Sequence, residues 1–215
     1  MKLQNYIPLD VKRQQLLQQS IDIVDNIKNW ELVKSTDDTK ILKTTFNDDF
    51  WCGRISPHLS SEYSNKLKEL IIGQPIIGKT HSDYESDYMN EVKSIKVENL
   101  QSYDFGYSYQ LKAIYDLGFP LKHRVFHVLI HIWNFGNYGI VTSLPISGNN
   151  DEGNVIAKYI SVEKVKINDD GSIEWIMATS SNPSGWIPQF ITRAGMPGAI
   201  QKDVPSLLKY IDAHP

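Results

Sequence analysis

The sequence predicts an α+β fold: a curved antiparallel β-sheet covered by a long, kinked C-terminal helical segment. Three observations carry this. Between residues 94 and 179 short alternating segments rich in Val, Ile, Tyr and Phe are separated by Gly, Asn, Asp and Pro, the pattern of antiparallel strands. Helical spacing is confined to the two ends and to two brief segments ahead of those strands. The segment from Gly185 to His214 is the longest amphipathic stretch, and the inner face of a curved sheet has to be covered by something of that kind.

Taken in order, Asp10 is a candidate cap for a helix over about 10–30, in which Leu17, Ile21, Val24 and Ile27 recur at the helical period. Lys40 to Phe46 and Phe50 to Ser56 read as a hairpin closed by Asn47-Asp48-Asp49. A short helix after Ser60 groups Tyr63, Leu67, Leu70 and Ile71 on one face and stops at Gly73. The four-residue spacing of Tyr84, Tyr88 and Val92 predicts another brief helix. Strands follow at 94–99, 106–115, 123–134, 138–147, 154–167 and 172–179, with Gly148 to Gly153 and Asn168 to Gly171 as hairpin turns. In the closing segment Pro197 and Pro205 predict a kink or a break. We read residues 1–215 as a single domain: the N-terminal helix, a sheet with short helices over about 31–180, and a helical lid over about 185–213.

Composition narrows function. Hydrophobic residues make up 41% and charged residues 22%, enough apolar material for both a core and a cavity wall. A net charge of -3 offers no basic field for phosphate backbones, so nucleic acid is not an expected partner. No apolar leader, no run of 18 apolar residues and a lone Cys52 together predict a cytoplasmic protein. No P-loop, calcium loop or HExxH pattern is present, so neither a cofactor nor a metal is expected. His127 and His131 lie four apart, but in a strand-like context that makes them an outward pair on the sheet's back or edge.

Specific residues sharpen the fold. Ile173-Glu174-Trp175-Ile176-Met177-Ala178-Thr179 followed by Gly185-Trp186-Ile187-Pro188 resembles the last strand and helix entry of START lipid-transfer domains, which have the helix-grip fold. Tyr84-Glu85 with Tyr88, and Phe119-Pro120 with Arg124-Val125-Phe126, resemble two further regions of those domains. Trp51, Arg54, Ser56 and His58, together with Pro197-Gly198-Ala199-Ile200 and Asp203-Val204-Pro205, resemble a fungal START-like family of unknown function. The resemblance spans about residues 30–212 and implies an internal cavity for a lipid, a sterol or a similar hydrophobic small molecule.

Alternation supplies candidate wall residues. Phe126, Val128 and Ile130 share one strand face, as do Tyr109 and Leu111, and as do Trp175 and Met177. Phe190, Ile191, Ala194, Ile200 and Val204 are the lid positions expected to face the ligand, and Trp51 and Arg54 are candidates for a polar anchor. The bland alternatives stand beside these: wall residues double as core, and Arg54 fits equally well a pair with a carboxylate on the sheet surface. Asp203 reads as a helix N-cap ahead of Pro205. Trp186 and Phe190 are the candidates for transient membrane contact, the alternative being that both pack inward. The expected activity is non-enzymatic binding or transfer. A cavity enzyme of the cyclase, dehydratase or hydrolase kind is one alternative and a protein-interaction module with a vestigial pocket is another.

Overall fold

The hairpin predicted around Asn47 forms because Asn47 and Asp48 both adopt positive φ (52° and 67°), a conformation these two residue types tolerate and one that matches strand twist. In the computed structural model, which describes residues 1–36, 38–149, 153–185, 187 and 189–214 (backbone alone at 58, 189 and 190), that hairpin joins β2 (Lys40–Phe46) to β3 (Asp49–Leu59). Ahead of it lie α1 (Arg13–Asn26) and β1 (Glu31–Ser35). Next come α2 (Ser64–Ile72), α3 (His81–Tyr88), β4 (Val92–Tyr103), β5 (Gly106–Tyr115), β6 (Arg124–Asn134), β7 (Tyr138–Pro145), β8 (Val155–Ile167) and β9 (Ile173–Asn182). Two helices, α4 (Gln189–Gln201) and α5 (Asp203–Ala213), close the chain.

The nine strands form one sheet in the order β1-β2-β3-β9-β8-β7-β6-β5-β4, with every neighbouring pair antiparallel. Beyond the end of β7, the start of β8 pairs parallel with Arg124 to Phe126 of β6, which draws the sheet's curvature tight at that point. Alternation divides the side chains between two layers. The inner face carries Tyr109, Leu111, Val128, Ile130 and Trp175, covered by Leu67 and Ile71 of α2 and by Val204, Leu207 and Ile211 of α5. The outer face carries Trp51, Leu129, Trp133, Ile160 and Ala178, against Leu16, Val24 and Ile27 on or beside α1.

Several local expectations are corrected. Asp10 sits in a 3-10 turn, and α1 starts at Arg13 with no side-chain cap. The helix expected around Tyr84 to Val92 starts and ends earlier: a capping box of Thr80 and Asp83 opens α3, and Val92 opens β4. Strand β1, fully exposed at the sheet edge, has no apolar alternation to announce it. The C-terminal segment does break, but Pro197 stays inside α4 and the break falls at Lys202. Asp203 is not a cap either; it lies in the first turn of α5 with its side chain directed elsewhere.

Candidate functional site

Two rungs of β5 fix the helices over the inner face. The Tyr107 hydroxyl donates to the Ile72 carbonyl at the end of α2 (2.7 Å), and the Tyr109 hydroxyl lies 2.8 Å from Ser82 Oγ in the first turn of α3. These bonds orient α3 so that His81, Glu85 and Tyr88 approach the sheet. His81 Nδ1 is 2.8 Å from the Ile71 carbonyl, which leaves Nε2 3.9 Å from a carboxylate oxygen of Glu85 and 3.9 Å from one of Glu163 on β8. Glu163 accepts a hydrogen bond from Trp175 Nε1 at 2.9 Å. The Trp175 ring in turn carries the Arg54 guanidinium at 4.0 Å from its centroid.

Arg54 joins β3 to the lid. Its Nη1 donates to the Ile200 carbonyl (3.0 Å), at the C-terminal end of α4, and to Asp203 Oδ2 (2.9 Å) at the start of α5. Arg54 therefore satisfies a carbonyl that the end of a helix leaves open and pairs with a carboxylate one turn on. Burial pushes the Asp203 carboxyl up to about 7 despite the pull of Arg54, and Glu163 and Glu85 push the same way. Burial also raises Glu85, opposed by His81.

Beyond this polar cluster runs an aromatic row from three strands: Tyr115 and Phe126 meet edge to face at 5.2 Å, and Phe126 and Tyr159 at 5.3 Å. Burial holds the phenols of Tyr88, Tyr115 and Tyr159 well above their ordinary pKa. Yet Tyr88, Tyr115, Phe126 and Tyr159 are only half-buried, while neighbours such as Tyr109, Val128 and Ile130 have almost no accessible surface. These rings thus lie deep in the protein yet keep accessible area, unlike the close-packed residues beside them.

Of the candidates read from the sequence, Tyr109, Leu111, Phe126, Val128, Ile130, Trp175 and Val204 belong to the inner-face cluster. Ile200 is buried and Met177 half-buried beside it, in a small cluster with Cys52 and Met196 where α4 crosses β3. Arg54 is fully buried and directed inward. Trp51 is not with it. Three residues apart on a strand means opposite faces, and Trp51 packs T-shaped against Trp30 on the α1 side, beside a surface depression of about 530 Å³. Ile191, 49% exposed, and Ala194, also exposed, lie on the solvent side of α4. Phe190's side chain and Trp186 lie outside the described residues. His127 and His131 occupy the outer face; His127 Nε2 contacts the Asn149 carbonyl, and His131 stacks on Trp133, where burial lowers its pKa to about 4. Asp203, Glu163, His81, Glu85 and Tyr159 were not among the candidates. Alternation along β8 sets Tyr159, Ser161 and Glu163 on one face, but a search for apolar runs passes over it.

Residues 51–211 match the model of DUF3074, described as a protein of unknown function. The chain belongs to that family. A search of curated proteins finds no sequence match. Among solved structures, this DUF3074 protein is similar to human STARD10 (TM-score 0.73, 13% identity, covering 94% of this chain and 82% of that one). It is similar also to human StAR-related lipid transfer protein 5 (0.70, 10%, 94% and 99%) and to a STAR-related lipid transfer protein fragment from Xanthomonas axonopodis (0.59, 12%, 84% and 98%). At these identities the likeness establishes a START-like, helix-grip fold.

Proposed function

We propose that this DUF3074 protein is a cytoplasmic, non-enzymatic binding protein for a hydrophobic small molecule, a lipid or a sterol, held between the inner face of the sheet and the cover formed by α2, α3 and α5. The whole chain acts as one domain in this reading, and the motif likeness favours a fungal member of the family. The observation that carries it is the aromatic row Tyr115, Phe126 and Tyr159, enclosed yet incompletely packed. Structural neighbours named as lipid transfer proteins support it. Burying about 300 Å² of ligand apolar surface at ~25 cal/mol per Å² offers roughly 7 kcal/mol before ordering costs. Delivery to a membrane fits the same reading, since Leu117 and Phe119, beyond the Tyr115 end of β5, are exposed apolar side chains. Native mass spectrometry of gently purified protein tests the proposal: a co-purifying or exchangeable hydrophobic ligand is expected, and failure to retain any across sterols, fatty acids and phospholipids overturns it.

A cavity enzyme is the second reading, and the observation favouring it is His81 set between Glu85 and Glu163. Both distances, 3.9 Å, exceed hydrogen-bond length, whereas a working acid-base pair lies within about 3.2 Å. Recovery of bound ligand chemically unaltered after long incubation separates the two.

A further inference from the structure

If the cavity reading holds, one edge of Arg54 says what kind of head group the ligand carries. The Arg54 side chain is fully buried. Nη1 is occupied by the Ile200 carbonyl and Asp203, but Nε and Nη2 have no hydrogen-bond partner. A guanidinium is planar, and its Nε–H and one Nη2–H point the same way, so this unpaired edge carries two parallel donors at the spacing of two oxygens on one carbon or phosphorus, closed off by packing until a ligand parts it. The Trp175 ring backs the guanidinium, its centroid 4.0 Å from Cζ. Buried charged donors left unpaired cost more than neutral ones, so a fold that keeps them unpaired gains when a ligand pairs them.

We infer that the Nε–Nη2 edge of Arg54 receives the oxyanion head of an amphiphilic ligand, a carboxylate or a phosphate ester, whose hydrocarbon part lies along Tyr115, Phe126 and Tyr159. A sterol or alcohol hydroxyl supplies one oxygen and leaves a donor open. The oxyanion supplies both.

Charge balance adds a condition. Arg54 is paired with Asp203 of α5. Glu163 of β8 and Glu85 of α3 also face Asp203, and the Tyr88 and Tyr115 hydroxyls lie within its field. An added anion would overload this cluster with negative charge unless a proton came with it. Asp203, already held at about 7, is the group that takes it up. The exchange is then electroneutral: one anion and one proton enter, and Arg54 keeps one counter-charge. Each pH unit above 7 is expected to weaken oxyanion binding about tenfold, as uptake of one proton requires.

Titration calorimetry on the full chain between pH 6 and 9 tests this with oleate, oleyl phosphate and oleyl alcohol. At pH 6.5 at least one of the two acids is expected to bind ten-fold or more tighter than the alcohol, and which acid does so separates carboxylate from phosphate. Arg54→Met should bring acid and alcohol to similar affinity while the alcohol still binds. Asp203→Asn should keep the acid tight at pH 8.5 and flatten its pH profile, a readout that stands even if the Arg54 variant fails to fold. An alcohol that binds as tightly as both acids, or an acid preference with an unchanged pH profile in Asp203→Asn, overturns the inference and leaves the cavity reading intact. Binding of none of the three probes, nor of cholesterol, overturns both.

Discussion

Arg54 and Asp203 show how much turns on the parity of a single strand. Both residues stand in motifs visible in the sequence, yet their partnership crosses 149 positions and depends on β3 meeting the joint of α4 and α5. The sequence motif groups Trp51 with Arg54 as one anchor although alternation along β3 separates them, because an interval of three cannot put two residues on one face of a strand. No local pattern could identify Asp203 as the partner, since an Asp two residues before Pro reads equally as a helix cap. The pair has a consequence for stability. The carboxyl of Asp203 has a higher pKa folded than unfolded, so the folded state binds more protons than the unfolded state between the two values. Its contribution is therefore fully present below the unfolded value near 4 and is lost as pH rises toward 7. Thermal melts from pH 4 to 8 are expected to show Asp203→Asn progressively more stable relative to the parent as pH rises, by up to roughly 4 kcal/mol. A difference that stays constant across that range would mean that Arg54 fully compensates the buried charge.

At the scale of elements, the six strands from β4 to β9 and the β2–β3 hairpin before them were legible because period-two alternation and turn residues agree. The elements that escaped are those whose cause is not hydrophobic. Strand β1 is an exposed edge, held by its ladder to β2 and by a side-chain bond from Lys34 to Gln201 of α4. Helix α3 is placed by its polar start: Thr80 Oγ1 accepts from the Asp83 amide while the Asp83 carboxylate accepts from the Thr80 amide at 2.9 Å. Because α3 carries His81, Glu85 and Tyr88 into the site, this box positions chemistry as well as starting a helix. Thr80→Ala is expected to cost about 1 kcal/mol in denaturant unfolding, the usual worth of a cap, and to weaken ligand binding beyond what that loss explains. An unchanged affinity would show that the Tyr109 contact to Ser82 holds α3 in place without it.

For the molecule as a whole, the sheet order and its two layers follow from amphipathic patterning, whereas a hollow does not, because the same alternating residues serve a solid core and a cavity wall alike. The physical difference lies in what deletion costs. Removing a side chain from close-packed surroundings forfeits both transfer energy and its neighbours' contacts, while removing one from the edge of an existing space forfeits less. Ile130, 1% exposed in the middle of the inner face, and Phe126, half-buried four residues away on the same strand face, make the comparison within one element. In ligand-free protein Ile130→Ala is expected to cost about 2–5 kcal/mol and Phe126→Ala less than that, although phenylalanine is the larger side chain and in a packed core would cost about 3–5 kcal/mol. Adding a bound amphiphile should reverse the order, since the ligand packs against the Phe126 ring and its binding energy adds to the stability of the parent but much less to that of the Phe126 variant. Paired denaturant titrations with and without ligand measure both quantities. If Phe126→Ala is the costlier change in the empty protein, the inner face is solid there and the aromatic row is core.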